Sequence, residues 1–240
     1  MNLVIDIGNS LQKVAIFDSL DQMVFVTSVP KITLESLQNL FQKYNIEKSI
    51  ISSVGKIDSS VASFIQQTSQ LVPFTHQSKL PITIDYIHSE TLGLDRIANS
   101  VAAATIFPNH NCLSIQAGTC IVYDFVDQDS TFQGGAISPG LEMRFKALHD
   151  YTARLPYEGY EEIDYFLGQS TQQSIRSGVI NGTIFEIDGQ INAYKTKYLD
   201  LKVLLTGGNM NHLQKSIKNQ IFAAPNLVLV GLNKILNLNV

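Results

Sequence analysis

The sequence has no surplus of positive charge: 17 Lys and Arg stand against 21 Asp and Glu, a net charge of −4. That argues against a nucleic acid or an anionic membrane surface as partner. It has no apolar run near the roughly 18 residues a membrane span needs. No basic segment precedes an apolar stretch at the N-terminus. Cysteine is scarce. Cys112 and Cys120 lie beside or within apolar strand patterns and read as small buried hydrophobes, not as a disulfide or a metal pair. The 5 histidines show no H-x-H or H-E-x-x-H spacing, so a catalytic zinc site is not expected. Two phosphate-binding signatures are missing as well. Without G-x-x-x-x-G-K-[ST] the chain is not a P-loop kinase, and without G-x-G-x-x-G it lacks a Rossmann dinucleotide site. Ser10 to Lys13 match S-x-x-K, but on a hairpin and without S-D-N or K-T-G partners. The expected setting is a reduced cytoplasm.

What is present is an ordinary globular composition, 45% hydrophobic and 16% charged over 240 residues. That length suits one large domain or two of about 120 residues. Residues 2–7, 12–18 and 22–28 predict a three-strand meander around the turn "GNSLQ". "TLESLQNLFQKY" predicts a helix capped by Thr33, "KSIISSV" a buried strand and "SSVASFIQQ" a second helix. "LGLDRIANSVAAATIF" predicts a helix entered through Gly93 and stopped by Pro108. The pattern then begins again. "CLSIQAG" and "TCIVYDFV" predict a hairpin, and "FQGGAISP" a third strand. Helices are expected at 140–150 and across 168–193, where Gly178 and Gly182 are places for a break. "LKVLLTGGN" predicts a strand and "NLVLVGLNKILN" a closing helix. A repeat of about 110 residues points to two similar α/β lobes facing each other across a cleft. The expected boundaries are 1–109 and 110–240, with the final helix able to pack back on the first lobe.

Three Gly-rich turns follow strands: "DIGNS", "AGTC" and "TGGN". Glycine lets a backbone approach a ligand, and successive amides with Asn or Ser side chains can hold phosphate oxygens. Asp6 beside the first turn suits a Mg²⁺ ion carried with phosphates. A plain hairpin with an aspartate near its turn fits that segment equally well. "GLDR", Gly93 to Arg96, also reads two ways. Asp95 is either a helix-terminal charge favoured by the dipole, or a general base beside an anion-binding arginine. All four arginines, Arg96, Arg144, Arg154 and Arg176, fall in one window. That is either scatter or a local anion-binding role.

"DIGNS", "GLDR", "AGT", "GGAISPGLEM", "TARLP" and "LLTGG" occur in the order and spacing of type III pantothenate kinases, and the chain resembles that family from residue 2 to about residue 236. The resemblance implies a duplicated ribonuclease H-like fold of the actin, sugar kinase and Hsp70 superfamily. It implies a homodimer and ATP-dependent phosphorylation of pantothenate to 4'-phosphopantothenate, the first step of coenzyme A biosynthesis. It further implies an ATP-binding turn at Asp6, Ile7, Gly8, Asn9, Ser10, Leu11, Gln12 and Lys13, with Mg²⁺ near Asp6 through phosphate or water. The implied proton acceptor is Asp95. Gly93, Leu94, Asp95 and Arg96 would bind pantothenate, with Tyr86 seven residues before that glycine and Thr171 in the long helix. Thr119 would contact ATP. The long helical region near 168–193, with Ile175, Val179, Ile180, Ile184, Phe185 and Ile191, would make the dimer contact.

One position departs from the family pattern. The residue two before the "AGT" glycine is usually an aspartate that binds a monovalent cation, K⁺ or NH₄⁺. Here it is Gln116, which offers an oxygen and no charge. Asp124 on the next strand is a candidate substitute. The same departure is what a catalytically weak regulatory relative would show, so that is the alternative function.

Overall fold

A computed structural model describes residues 1–8, 10–53 and 57–240. The chain divides into two compact units. Unit 1 holds Met1–Pro108, Ser130–Phe132 and Asn226–Val240; unit 2 holds Asn109–Asp129 and Gln133–Pro225.

Unit 1 opens with the meander β1 (Asn2–Ile7), β2 (Gln12–Phe17) and β3 (Met23–Val29). Helix α1 (Leu34–Lys43) follows, then β4 (Lys48–Ser53), α2 (Ser59–Thr68) and β5 (Gln70–Pro73). The strands form one sheet in the order β3-β2-β1-β4-β5, with β1 antiparallel to β2 and parallel to β4. Thr33 caps α1 as its sequence suggests: its hydroxyl accepts from the Ser36 amide at 3.2 Å, and the Ser36 hydroxyl accepts from the Thr33 amide at 3.2 Å. Side chains alternate along β1. Leu3, Ile5 and Ile7 pack with Leu37 of α1 and Val61 and Ile65 of α2. The opposite face of β1, with Val4 and Asp6, lies on the side of the final helix α7 (Leu227–Leu238), which packs on β1 and β4. That helix also lies along α3 (Leu94–Ile106). An asparagine cluster ties α7 down. Asn2 Nδ2 donates to Asn233 and Asn237 Oδ1, and both of those donate to Asp21 Oδ1, at 2.7–2.8 Å.

Before α3, β6 (Thr83–Ile84) runs parallel to the first residues of β9 (Thr131–Pro139), which belong to unit 1. The pairing continues as Asp85 N donates to Phe132 O at 2.9 Å. Neither this two-residue strand nor the short 3₁₀ turn at Ser89–Thr91 has a pattern long enough to be read from sequence.

Unit 2 repeats the plan. β7 (Cys112–Ala117), β8 (Cys120–Val126), β10 (Lys202–Thr206) and β11 (Phe222–Ala223) join β9 in the order β11-β10-β7-β8-β9. β7 is antiparallel to β8 and parallel to β10. Leu113, Ile115, Ala117, Ile121, Tyr123 and Phe125 form one face. It packs against α4 (Leu141–Asp150) and α5 (Thr171–Lys197), while a short α6 (Met210–Leu213) follows β10. Contrary to the sequence reading, α5 does not break at Gly178 or Gly182: it runs unbroken for 27 residues. The cost of about 1 kcal/mol per helical glycine is small beside the burial of Ile175, Val179, Ile180, Ile184, Ile187 and Ile191 in the core. Both cysteines are free, and burial pushes the Cys112 thiol up to about 11. Among the described residues no helix is long and apolar enough to cross a membrane.

Candidate active site

Strand register places two groups of unit 1 beside Asp6. Lys13 lies opposite it across the antiparallel β1–β2 pair, and Ser52 opposite it across the parallel β1–β4 pair. The Ser52 hydroxyl donates to the Asp6 carboxylate, and Asp95 is close enough to act on it by charge. Burial pushes the Asp6 carboxyl up to about 6 and the Asp95 charge adds to the rise, while Lys13 and the Ser52 hydrogen bond pull the other way. Burial also holds the Lys13 ammonium below its usual value, with Asp6 opposing. A half-buried carboxylate near a second carboxylate and an ammonium is an arrangement suited to a cation and to phosphate oxygens.

The turn after β1 is closed by Gly8 N donating to Leu11 O at 3.1 Å. Ser10 and Leu11 are exposed. Gln12 turns its side chain away: Oε1 accepts from Ile32 N at 2.7 Å and anchors the approach to α1. Asn9 lies outside the described residues.

Asp95 sits in the first turn of α3, where the helix dipole favours its charge. Gly93 is the N-cap. A Cβ there would stand 2.6 Å from Asp95 Oδ1, so glycine leaves the carboxylate the space it occupies. Leu94 begins the helix. Arg96 is buried, 8% exposed. Its guanidinium carbon lies 5.9 Å from the Tyr86 ring centre and 5.8 Å from that of Phe132. The two rings are themselves 5.8 Å apart at 59°. Arg96 is therefore held between two aromatic faces by cation–π attraction. Tyr86 is 37% exposed and can meet a ligand, whereas Phe132 is fully buried.

In unit 2 three strand ends converge. The Gly118–Thr119 turn is closed by Gly118 N donating to Cys120 O at 2.9 Å. Asn209 of the "TGGN" turn donates from its amide to Gly118 O at 3.2 Å and from its backbone to Ala117 O at 2.9 Å. Gly140 N donates to Thr119 O at 3.1 Å. Thr119 itself is exposed. Gln116 pairs with Val122 and Thr206, and Asp124 pairs with Ser114. Opposed residues share a face, so Asp124 lies on the same face as Gln116, one diagonal away at about 7–8 Å between Cα atoms. Asp124 is 1% exposed. Thr171 opens α5 after the N-cap Ser170. Among the described residues no hydrogen bond joins Thr171 to another candidate.

The arginine window does not form one anion site. Arg144 pairs with Glu186, and Arg176 with Glu158 and Glu161. The apolar residues named for a dimer contact also divide. Ile175, Val179, Ile180, Ile184 and Ile191 are buried in unit 2 itself, and Phe185 alone of that set is exposed, at 52%. Sequence reasoning missed Ser52 and Phe132. Ser52 was detectable only through strand register. Phe132 carries no local signal, because its partners come from residues 83–96.

Residues 2–193 match the model of a family described as type III pantothenate kinase. The type III pantothenate kinase of Christiangramia forsetii is 44% identical over 243 residues, covering 100% of this chain and 99% of the relative. A Campylobacter jejuni crystal structure described as a Baf family transcriptional activator superposes with a TM-score of 0.59 at 21% identity, covering 98% and 97% of the two chains. A glucokinase from an Antarctic psychrotroph superposes at 0.50 with 12% identity, covering 98% of each. Those two likenesses concern the fold alone, the duplicated α/β fold shared with sugar kinases.

Proposed function

The chain belongs to the type III pantothenate kinase family, and from that premise we propose how its residues divide the phosphorylation of pantothenate by ATP in coenzyme A synthesis. The observation that carries this division of roles is the placement of Lys13 and Ser52 beside Asp6 at the end of the first strand, with Asp95 in the first turn of α3. Phosphoryl transfer needs positioning and charge stabilisation more than covalent chemistry. Asp95 accepts the proton of the substrate hydroxyl as its oxygen attacks the γ-phosphorus. Arg96, steadied between Tyr86 and Phe132, orients pantothenate by its donors, and Tyr86, Gly93, Leu94 and Thr171 complete that contact. The turn from Asp6 to Lys13 holds the ATP phosphates, and Thr119 adds a further ATP contact.

The donors around Asp6 suit Mg²⁺. Among the described residues no group of three or more His, Cys, Asp or Glu could hold a metal alone. Magnesium needs only one or two carboxylates when phosphates supply the rest. Asp6 would hold it, and the ion would neutralise charge on the phosphate oxygens. Its double charge would also favour the ionised form of Asp6.

The working form is a homodimer built on α5. Gly178, Gly182, Phe185 and Gly189 recur at helical spacing, and a Cβ added at any of the three glycines would meet nothing within 4 Å. Such a face admits a close second helix. The proposed location is the cytoplasm. The test of the function is ADP release with pantothenate against glucose and N-acetylmannosamine. Release with a sugar and none with pantothenate would overturn the assignment.

A further inference from the structure

Unit 2 contains a charged cluster that the roles above leave unused. Glu186 lies midway along α5. Its Oε1 accepts from Tyr123 Oη at 2.9 Å and Ser138 Oγ at 2.5 Å, and its Oε2 accepts from Arg144 Nη2. Arg144, on α4, also donates from Nε to Pro139 O at 2.7 Å and from Nη2 to Ser138 Oγ at 3.3 Å. Both side chains are mostly buried, 21% and 27% exposed.

These bonds grip two consecutive residues, Ser138 by its hydroxyl and Pro139 by its carbonyl. The next residue is Gly140, whose amide donates to Thr119 O. A Cβ on Gly140 would stand 2.3 Å from Gly118 O and 2.5 Å from Thr119 O. The backbone of Gly140 therefore lies directly against the Gly118–Thr119 turn. Displacing 138–140 displaces that turn. Burial alone would raise the Glu186 carboxyl, but the hydrogen bonds from Arg144, Ser138 and Tyr123 outweigh it and hold the group below its usual range. The carboxylate is thus kept charged, and its hold on Arg144 persists at neutral pH.

We propose that Arg144 and Glu186 are positioning residues for ATP: through Ser138, Pro139 and Gly140 they set the Gly118–Thr119 turn. The proposal rests on the reading of Thr119 as an ATP contact. An ion pair of this kind is weak evidence for stability, since well-packed apolar replacements of both partners are often neutral or better. Its value lies in orientation. The pair links α5 to Ser138 and Pro139, next to Gly140, by four side-chain hydrogen bonds.

The test uses the full chain. Thr119→Ala, Glu186→Gln, Arg144→Met, Arg144→Lys and the double variant Arg144→Met/Glu186→Met are compared by melting temperature, by KM for ATP and for pantothenate, and by calorimetric titration with ADP. Misplacing a binding group by about 1 Å typically costs up to a hundredfold. Glu186→Gln and Arg144→Met should each raise KM for ATP and Kd for ADP about ten- to a hundredfold, with KM for pantothenate unchanged. Arg144→Lys should restore part of the loss. The double variant should regain melting temperature, because no charge is left unpaired, yet keep the weak nucleotide binding. A folded double variant with normal ADP affinity would overturn the proposal, as would an equal rise in both KM values. If Thr119→Ala weakens ADP binding and Glu186→Gln does not, the positioning role alone fails. If Thr119→Ala leaves ADP binding unchanged, the reading of the turn fails and the proposal with it.

Discussion

The two sheets of this protein have the same plan and different charge. The order β3-β2-β1-β4-β5 in unit 1 matches β9-β8-β7-β10-β11 in unit 2, and in both the central strand is antiparallel to one neighbour and parallel to the other. The fifth residue of the central strand is Asp6 in one and Gln116 in the other. Across the parallel pair stand Ser52 and Thr206, a hydroxyl in both. Across the antiparallel pair stand Lys13 and Val122. The apolar alternation behind these positions is preserved, with Leu3, Ile5 and Ile7 in unit 1 and Leu113, Ile115 and Ala117 in unit 2. The fold is thus carried by the inward residues, and the strand end is free to differ. Among the described residues, unit 1 gathers two carboxylates and an ammonium there.

The largest expected effect follows from that asymmetry. Asp95→Asn removes the carboxylate assigned as proton acceptor and keeps its shape. It should lower kcat by about 10²–10⁴ with the melting temperature held or raised. A folded variant with near-normal turnover would show that the charge of unit 1 is not the chemical centre.

The second effect separates function from stability. Asp6 titrates near 3.8 when unfolded and at about 6 when folded. Between those values the folded protein binds the extra proton, so stability falls as pH rises through the interval. The loss is complete above pH 6 and amounts at most to about 3 kcal/mol. Asp6→Asn should therefore raise the melting temperature of the ligand-free protein at pH 8, lose that advantage near pH 4, and bind ATP with Mg²⁺ poorly. Equal stabilisation at both pH values would mean that the Asp6 charge is not strained by its surroundings.

How much of this could be read from the residues differs between the two kinds of feature. Both meanders, α1 with its Thr33 cap, α3 and α7 were legible because periodicity and caps are local. The 27-residue run of α5 was not. Glycine lowers helix propensity locally, and the compensating burial comes from β7 and β8, far along the chain. In the candidate site the Gly-rich turns and "GLDR" were visible. Phe132 and Ser52 were not, since a ring under Arg96 and a hydroxyl on Asp6 arise from strand pairing. Gln12 was assigned with its turn, yet its side chain serves Ile32.

Exposure also differs between the units. The glycines at 178, 182 and 189 leave one stripe of α5 open, and the dimer reading depends on it. Gly182→Leu should stabilise the helix by up to about 1 kcal/mol while weakening self-association by roughly thirtyfold, as expected at the centre of an interface. Analytical ultracentrifugation would read both partners of the equilibrium. An unchanged dimer would move the interface elsewhere; a wild-type monomer at micromolar concentration would remove it.

The smallest effect tests whether the two strand ends can be made alike. Gln116 brings an amide oxygen and no charge. Asp124 shares its face, but it is buried and already engaged with other groups, so its carboxylate is not free to take a cation without giving up what it holds. The natural protein should therefore depend little on K⁺ or NH₄⁺. Gln116→Asp restores a carboxylate at the strand end. At short range and an effective dielectric of about 20, its attraction for K⁺ is roughly 4 kcal/mol before desolvation, and about a tenfold gain in cation affinity is a reasonable remainder. Rates at fixed ionic strength in K⁺, NH₄⁺ and Na⁺ would measure it. Saturable activation by K⁺ in Gln116→Asp and none in the natural protein is the expected result. Strong K⁺ activation of the natural protein would show that the amide suffices, and that the charge difference between the two copies has no bearing on the cation. Adding Asp124→Asn then completes the comparison. If Asp124 supplies the missing charge after all, this change should abolish K⁺ activation of the natural protein and spare that of Gln116→Asp.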